Sequence, residues 1–187
     1  MFRELVATEF SPYRKLSASQ LNHLENHYEL LRIWNEKVNL TGISSVQEMV
    51  QFHYCESLFL GRWLPAGEQR VVDVGSGAGF PGIPVAILRP ELSVDLVESQ
   101  QKKAVFLREA TRGLANVRVL AQRAGDCQDR YDWMISRAVR ADNLLRLALA
   151  PRLALLMGEG GASRLVGIRF DRLPWGAGRV LVSRETR

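Results

Sequence analysis

Arg70-Val71-Val72-Asp73-Val74-Gly75-Ser76-Gly77-Ala78-Gly79-Phe80-Pro81-Gly82 is the stretch whose reading decides the fold. A β-branched run enters a turn rich in glycine, and a helix-forming segment follows. Glycines are needed there when a ligand must approach the backbone at the carboxyl edge of a sheet, because side chains would obstruct it. Glu98 lies 23 residues after Gly75, at the end of the next apolar run. An acid in that place can accept hydrogen bonds from both ribose hydroxyls of an adenosine.

Working outward, SVDLVES (93–99), NVRVLA (116–121) and YDWMISR (131–137) read as further strands, each separated from the last by room for a helix. Alternating strands and helices predict a mostly parallel sheet with helices on both faces. LALLMG (153–158) and RVLVSRE (179–185) extend it, whereas residues 158–178, rich in Gly and Arg, carry no clear period. Upstream, Ser17 and Gln20 form a capping box, and Leu21, Leu24, Tyr28, Leu31 and Trp34 fall on one helical stripe. A second box, Ser45 to Glu48, starts a helix through about Arg62; Pro65 and Gly67 then mark a boundary. The expectation is α/β with a Rossmann-like fold. One domain, 1–187, is expected to join a helical amino-terminal extension (1–68) to an α/β core (69–187).

The chain has 187 residues, 47% of them hydrophobic, which is enough for one substantial core and short for two enzymatic domains. Its formal charge is +5, and all but four of its 25 basic residues are arginines, which suit forked contacts to phosphate. Cys55 and Cys127 are too few for a disulfide framework and neither has the spacing of a metal ligand, so no metal and a reducing compartment are expected. Glu4 and Glu9 interrupt any signal-peptide core, and no apolar run reaches the ~20 residues of a membrane span. A cytoplasmic protein without membrane contact follows.

Three readings of the glycine loop compete: a turn without a ligand, a dinucleotide site, and a site for an adenosyl ligand without phosphates. The spacing is GxGxG, not GxGxxG, and Phe80-Pro81 fills the place where a pyrophosphate needs a bare helix start. S-adenosylmethionine meets that requirement and is the expected cofactor. Asp73 reads either as orienting its amino-acid end or as a helix cap.

These residues resemble the RsmG (GidB) family, bacterial methyltransferases that modify N7 of a guanine in 16S ribosomal RNA. The likeness runs through Leu30-Leu31-Arg32-Ile33-Trp34-Asn35, Asn39-Leu40-Thr41, Phe52-His53, Glu56-Ser57-Leu58, Asp73 to Pro84, Glu98-Ser99, Lys102-Lys103, Phe106-Leu107, Gln122-Arg123-Ala124 and Ser136-Arg137-Ala138. The resemblance implies a class I methyltransferase fold with S-adenosylmethionine held by Gly75, Phe80, Ala124, Gly125 and Arg137; the reading of the loop and its acid adds Asp73, Gly77, Gly79 and Glu98 to the expected cofactor site. Gly75 and Phe80 would line the pocket, Ala124 and Gly125 would flank the adenine, and Arg137 would act at the end of the fourth strand. Its partner would be 16S rRNA or the small subunit, and a monomer is expected. The rival readings are a catalytically degenerate RNA- or ribosome-binding protein and a nucleotide-dependent oxidoreductase. Two departures stand out: Gly125 occupies the place of an acid after Arg-Ala, and no Lys-Gly element follows the fifth strand in Gly158 to Arg164. The carboxyl region is also shorter than the family's pattern.

Several residues keep two readings. Arg137 is an active-site arginine or a partner of Asp73 or Asp142. His53 is a base or a packing residue. Lys102 and Lys103, with Arg108, contact RNA phosphates or form a solvated face; Arg123 contacts RNA or pairs with Asp126 or Asp129. Residues 151–187 hold seven arginines against three acids. There Trp175 and Phe170 either stack on RNA bases or close the core. Guanine N7 carries its own lone pair, so its methylation needs positioning rather than a general base. Ser136-Arg137-Ala138 stands where enzymes that methylate exocyclic amines carry Asn/Asp-Pro-Pro-Tyr/Phe, which disfavours amine methylation.

Overall fold

The structure is a computed structural model that describes residues 1–137, 139–163 and 165–185. Ala138 of the Ser136-Arg137-Ala138 element, Arg164 of the glycine-rich stretch, and Thr186 and Arg187 lie outside the described residues. Helices α1 (Phe2–Phe10), α2 (Ala18–Val38), α3 (Val46–Glu48) and α4 (Glu56–Trp63) come first, with a π-helical segment, Met49–Cys55, joining α3 to α4. The rest alternates: β1 (Arg70–Val74), α5 (Gly82–Leu88), β2 (Ser93–Val97), α6 (Gln101–Ala110), β3 (Val117–Leu120), β4 (Trp133–Arg137), α7 (Ala141–Leu145), β5 (Arg152–Gly158), α8 (Glu159–Ala162), β6 (Arg169–Arg172) and β7 (Arg179–Glu185).

The seven-stranded sheet runs β3-β2-β1-β4-β5-β7-β6. β1 pairs in parallel with both β2 and β4, so the chain reverses its direction of winding at β1. A crevice opens at such a switch point, outside the carboxyl ends of β1 and β4, and the glycine loop follows β1 there. β7 is antiparallel to β5 and to β6, which places the amino end of β7 beside the carboxyl end of β5. Central strands β1 and β2 are buried from their second residue onward, as their nearly continuous apolar runs require.

Two apolar clusters fill the two faces. One joins Phe2, Phe10, Leu24, Leu31, Leu58 and Leu60 of the helical segment to Ile83, Leu96, Phe106 and Leu156. The other holds Val72, Val74, Met134, Leu144, Leu153 and Val182. The first means that residues before 68 are packed on the sheet's helices rather than tethered beside them.

Local signals explain most boundaries. Ser17 Oγ accepts from Gln20 N at 3.2 Å and Gln20 Oε1 accepts from Ser17 N at 2.9 Å, completing the first capping box. At Ser45 only half of the second forms: the hydroxyl accepts from Glu48 N at 3.4 Å, and the predicted single helix is interrupted by the π-helical segment. Trp175 is buried against Phe10, Tyr13 and Phe59 and donates to Glu9 Oε2 at 3.0 Å, so it closes the core. Phe170, by contrast, is 57% exposed on the edge strand β6. No helix among the described residues is long and apolar enough to cross a membrane.

Candidate functional site

Val74 hands the chain to Gly75, Gly77 and Gly79, whose φ angles of +73°, +56° and +89° an L side chain rarely adopts. A Cβ at Gly75 would also stand 2.7 Å from Val139 Cγ2, and one at Gly82 would stand 2.3 Å from Leu96 Cδ2. The loop is anchored from both sides. Gly75 N and Ser76 N donate to Val97 O at 2.9 and 3.2 Å, tying it to the end of β2. His27 Nε2 meets Ala78 O at 2.9 Å while His27 Nδ1 meets Tyr54 Oη at 2.8 Å. A hydroxyl donor at one nitrogen and a carbonyl acceptor at the other fit the neutral ring with its proton on Nε2. Burial pushes the His27 pKa down to about 4, so this brace stays uncharged at neutral pH.

Glu98 is brought to the loop as the spacing from Gly75 predicts. Its Oε2 accepts from Gly77 N at 3.0 Å and its Oε1 from Gln100 N at 2.8 Å. A carboxylate has about four acceptor directions, so each oxygen keeps one for a ligand hydroxyl. Asp73 is fully buried, and its Oδ2 accepts from Gly82 N, the first residue of α5, at 2.9 Å. That is the capping role. Its Oδ1 is buried and has no hydrogen-bond partner among the described residues. Burial raises the Asp73 pKa to about 7, against the lowering effects of the Gly82 bond and of the neighbouring Ser76 hydroxyl, which donates to Asp73 O at 2.9 Å. A buried, unanswered acceptor beside a bare backbone loop fits a ligand with an ammonium group.

Phe80 turns its ring into the helical segment, stacked on His53 at 4.6 Å between centroids and edge-on to His27 and Tyr54, so only its backbone remains with the loop. His53 Nε2 bonds Thr41 Oγ1 at 2.8 Å, and its Nδ1 is buried with no partner among the described residues. Burial and the nearby charge of Arg137 hold its pKa near 3. A ring so held packs the loop and is a poor base. Ala124 and Gly125 open a 3-10 turn after β3, half-buried and exposed respectively. Lys102 is exposed and Lys103 half-buried at the start of α6. Arg123 is exposed and makes no ion pair among the described residues; Asp129 is engaged instead by Arg70 and Arg118.

Arg137 ends β4 with its guanidinium largely covered, bonded through Nη1 to Phe52 O and 3.9 Å from Glu56 Oε2. Neither Asp73 nor Asp142 is its partner. Desolvation lowers its pKa to about 10, which leaves it charged at neutral pH. Glu56 and Arg179 were not singled out by sequence reasoning. Arg179 donates to Glu56 through Nε at 2.8 Å and Nη2 at 2.6 Å. Glu56 entered only in the Glu56-Ser57-Leu58 part of the family likeness, with no role assigned; an acid among the largely apolar residues 54–60 is the signal that could have found it.

The model of the rRNA small subunit methyltransferase G (GidB) family matches residues 20–157. The chain belongs to that family. Curated proteins named ribosomal RNA small subunit methyltransferase G include one from Chromobacterium violaceum, 43% identical over 128 residues, covering 66% of this chain and 61% of that protein. Another, from Halorhodospira halophila, is 37% identical over 158 residues, covering 84% and 74%. The chain spans about three fifths of the length of the first curated relatives it matches. Among solved structures, a magnesium protoporphyrin IX methyltransferase from Synechocystis with bound SAM superposes with TM-score 0.61 at 16% identity, covering 87% of this chain and 97% of that one. A putative RNA methyltransferase from Pyrococcus horikoshii gives 0.57 at 14% identity over 88% and 98%. At such identities these last two show the Rossmann-like fold alone.

Proposed function

We propose that this methyltransferase G family chain transfers a methyl group from S-adenosylmethionine to N7 of a guanine in 16S rRNA of the small ribosomal subunit. The observation that carries the reading is the convergence of Glu98 and the unpartnered Asp73 Oδ1 on one bare glycine loop at the switch point of the sheet. When bound, the cofactor supplies an electrophilic methyl group on a sulfonium. Glu98 is assigned to the ribose, Asp73 to the ammonium, and Ala124 with Gly125 to the flank of the adenine. Gly75, Gly77 and Gly79, with the Phe80 backbone, leave room for close approach. Arg137, at the carboxyl end of β4, is assigned to the cofactor at the active-site end of that strand.

No side chain here has to remove a proton. Guanine N7 presents a free lone pair, so the chain's task is alignment and exclusion of water. His53, uncharged and locked between Thr41 and Phe80, agrees with that division of labour. Lys102, Lys103 and Arg123 are assigned to the RNA backbone near the same edge. In this reading the helical residues 1–68 and the sheet residues 69–187 work as one domain in a cytoplasmic monomer.

Incubation of the purified chain with methyl-labelled S-adenosylmethionine and undermodified small subunits, followed by mapping of the label, tests the proposal. N7-methylguanosine in 16S rRNA is the expected product. RNA binding with no label would instead favour a binding protein that retains only the fold. Protection from unfolding by nicotinamide cofactors, and not by S-adenosylmethionine, would favour the oxidoreductase.

A further inference from the structure

Phe170 is the one exposed aromatic side chain among the described residues, and it stands on the open edge of the sheet, strand β6. Strand alternation puts it on the same face as Ile168 and Arg172, and with Ala162 and Leu165 these line a hollow of about 400 Å³. Val166, just before β6, is 83% exposed as well, so the apolar surface here is more than one stray side chain. Polar groups stand at its rim. Arg172 donates through Nε to Glu159 Oε1 at 2.9 Å, and its Nη groups have no acceptor among the described residues. An apolar slot with an aromatic wall, a carboxylate and a guanidinium has the parts of a nucleobase subsite.

The topology relates this slot to the crevice. β6 is antiparallel to β7 and β7 to β5, so β6 and β5 run the same way; Arg172 pairs with Val180 as Gly158 pairs with Arg179. The carboxyl end of β6 therefore stands on the edge that carries the glycine loop, three strands or about 14 Å from β4. Ile168, Ala124 and Ala141 pack into one apolar cluster, which puts the slot on the same face of the sheet as the turn after β3 and as α7. Between those two ends Arg140 caps α7, 81% exposed and no nearer than 3.9 Å to Asp142. Arg123, Arg140 and Arg172 thus mark one edge and one face. Charge decides between occupants. Residues 151–187 hold seven arginines against three acids in a chain of net charge +5, which draws a polyanion, whereas a second copy would set this edge against itself.

From this we infer that the RNA carrying the acceptor guanine continues past Arg140 to β6, where an unpaired base flanking the acceptor stacks on Phe170 in the hollow. The inference rests on the rRNA reading above and deepens it. Arg140 and Arg172 meet phosphates, and Phe170 meets a base. Every base has a π face, so such a contact holds the RNA without reading its sequence. A span of about 14 Å from β4 lies well within the roughly 4–16 nucleotides that one single-strand-binding fold covers.

The test compares Phe170→Ala, Phe170→Leu and Phe170→Trp with wild type. Binding of undermodified small subunits and of a short single-stranded RNA is measured across a salt series, S-adenosylmethionine affinity by calorimetry, and folding by thermal melting. Phe170→Ala is expected to bind both RNAs about 5- to 100-fold more weakly, the scale of one stacked base, at an unchanged salt slope and cofactor affinity. Phe170→Leu keeps apolar bulk without a π face and should fall nearly as far; Phe170→Trp should restore the affinity. Arg140→Gln should instead make the salt slope shallower by about 0.7 to 0.9, the value of one phosphate contact. Equal RNA affinity in wild type and Phe170→Ala, with methyl transfer intact, would overturn the inference and leave the rRNA reading standing. Full affinity in Phe170→Leu would overturn stacking. A loss confined to the subunits would give the hollow to a ribosomal protein, and self-association abolished by Phe170→Ala would give it to a second copy; either result contradicts the inference. A wild-type chain that binds cofactor but no RNA would remove the rRNA reading and this contact with it.

Discussion

Toward the amino ends of the strands, Asp95 is buried and fully answered: Arg118 Nε donates at 3.0 Å and Tyr131 Oη at 2.7 Å. Arg70 and Arg118 share Asp129 nearby, and Arg152 approaches Asp132 at 3.8 Å. Toward the carboxyl ends, Asp73 is buried with one oxygen unanswered, and Glu56 is outnumbered by two arginines. One sheet thus carries a charge-balanced end and an unbalanced one. Balance serves stability. Imbalance, held in place by neutral braces such as His27 and Tyr54, is what a ligand can complete.

The contrast breaks most readily at Asp73. Asp73→Asn is expected to weaken S-adenosylmethionine binding about 10- to 100-fold, the scale of one lost charge-assisted hydrogen bond, without loss of fold. Its pH dependence sharpens the point. Asp73 titrates near 7 in the fold against an ordinary 3.8, so the native state keeps a proton that the unfolded chain has released. Ligand-free stability is therefore full below about pH 4 and declines as pH rises through 7. Melting curves of wild type and Asp73→Asn should diverge across that window, in favour of the variant at the upper end. Parallel curves would show that the unpartnered oxygen carries no such penalty.

Asp95→Ala makes the opposite prediction. Loss of the Tyr131 and Arg118 bonds should cost about 1.5–3 kcal/mol, near the lower figure because Arg118 is half exposed, and lower Tm by roughly 3–12 °C. Cofactor affinity, measured by calorimetry on the folded variant, should not change. A loss of affinity here would dissolve the distinction between the two ends.

What the sequence disclosed follows the same line. The parallel strands, the glycine loop and Glu98 were legible because buried runs and positive-φ glycines are local requirements that leave local marks. Helix α1 carries Phe2, Val6 and Phe10 at a spacing of four, a mark present but not used. β6 has four exposed residues and no period, so nothing in Arg169–Arg172 announces a strand. The Glu56–Arg179 pair spans 123 residues, and only the folded topology brings its ends together. His27 sits one position before Tyr28 on the apolar stripe of α2, where it reads as amphipathic filling until Ala78 is seen beside it.

Two smaller effects refine the comparison. Gly75→Ala places a side chain at φ +73°, a cost of about 1–2 kcal/mol, and drives a Cβ against Val139. Both stability and cofactor affinity should fall, as judged by melting with and without cofactor. Ser17→Ala removes half of a capping box far from the loop and should cost about 1 kcal/mol in denaturant unfolding, with the cofactor constant untouched. If Ser17→Ala altered the cofactor constant, α2 would be transmitting strain to the loop through His27.

The central claim is that an adenosyl ligand without phosphates rests on the loop from Gly75 to Gly82 with its ribose on Glu98. Calorimetric titration of wild type and Glu98→Ala with S-adenosylmethionine measures this directly. The account predicts saturable binding to wild type and an affinity at least about tenfold lower in the variant, from the loss of hydrogen bonds to a charged acceptor. Equal affinities in the two proteins, or no heat of binding to wild type, would contradict it.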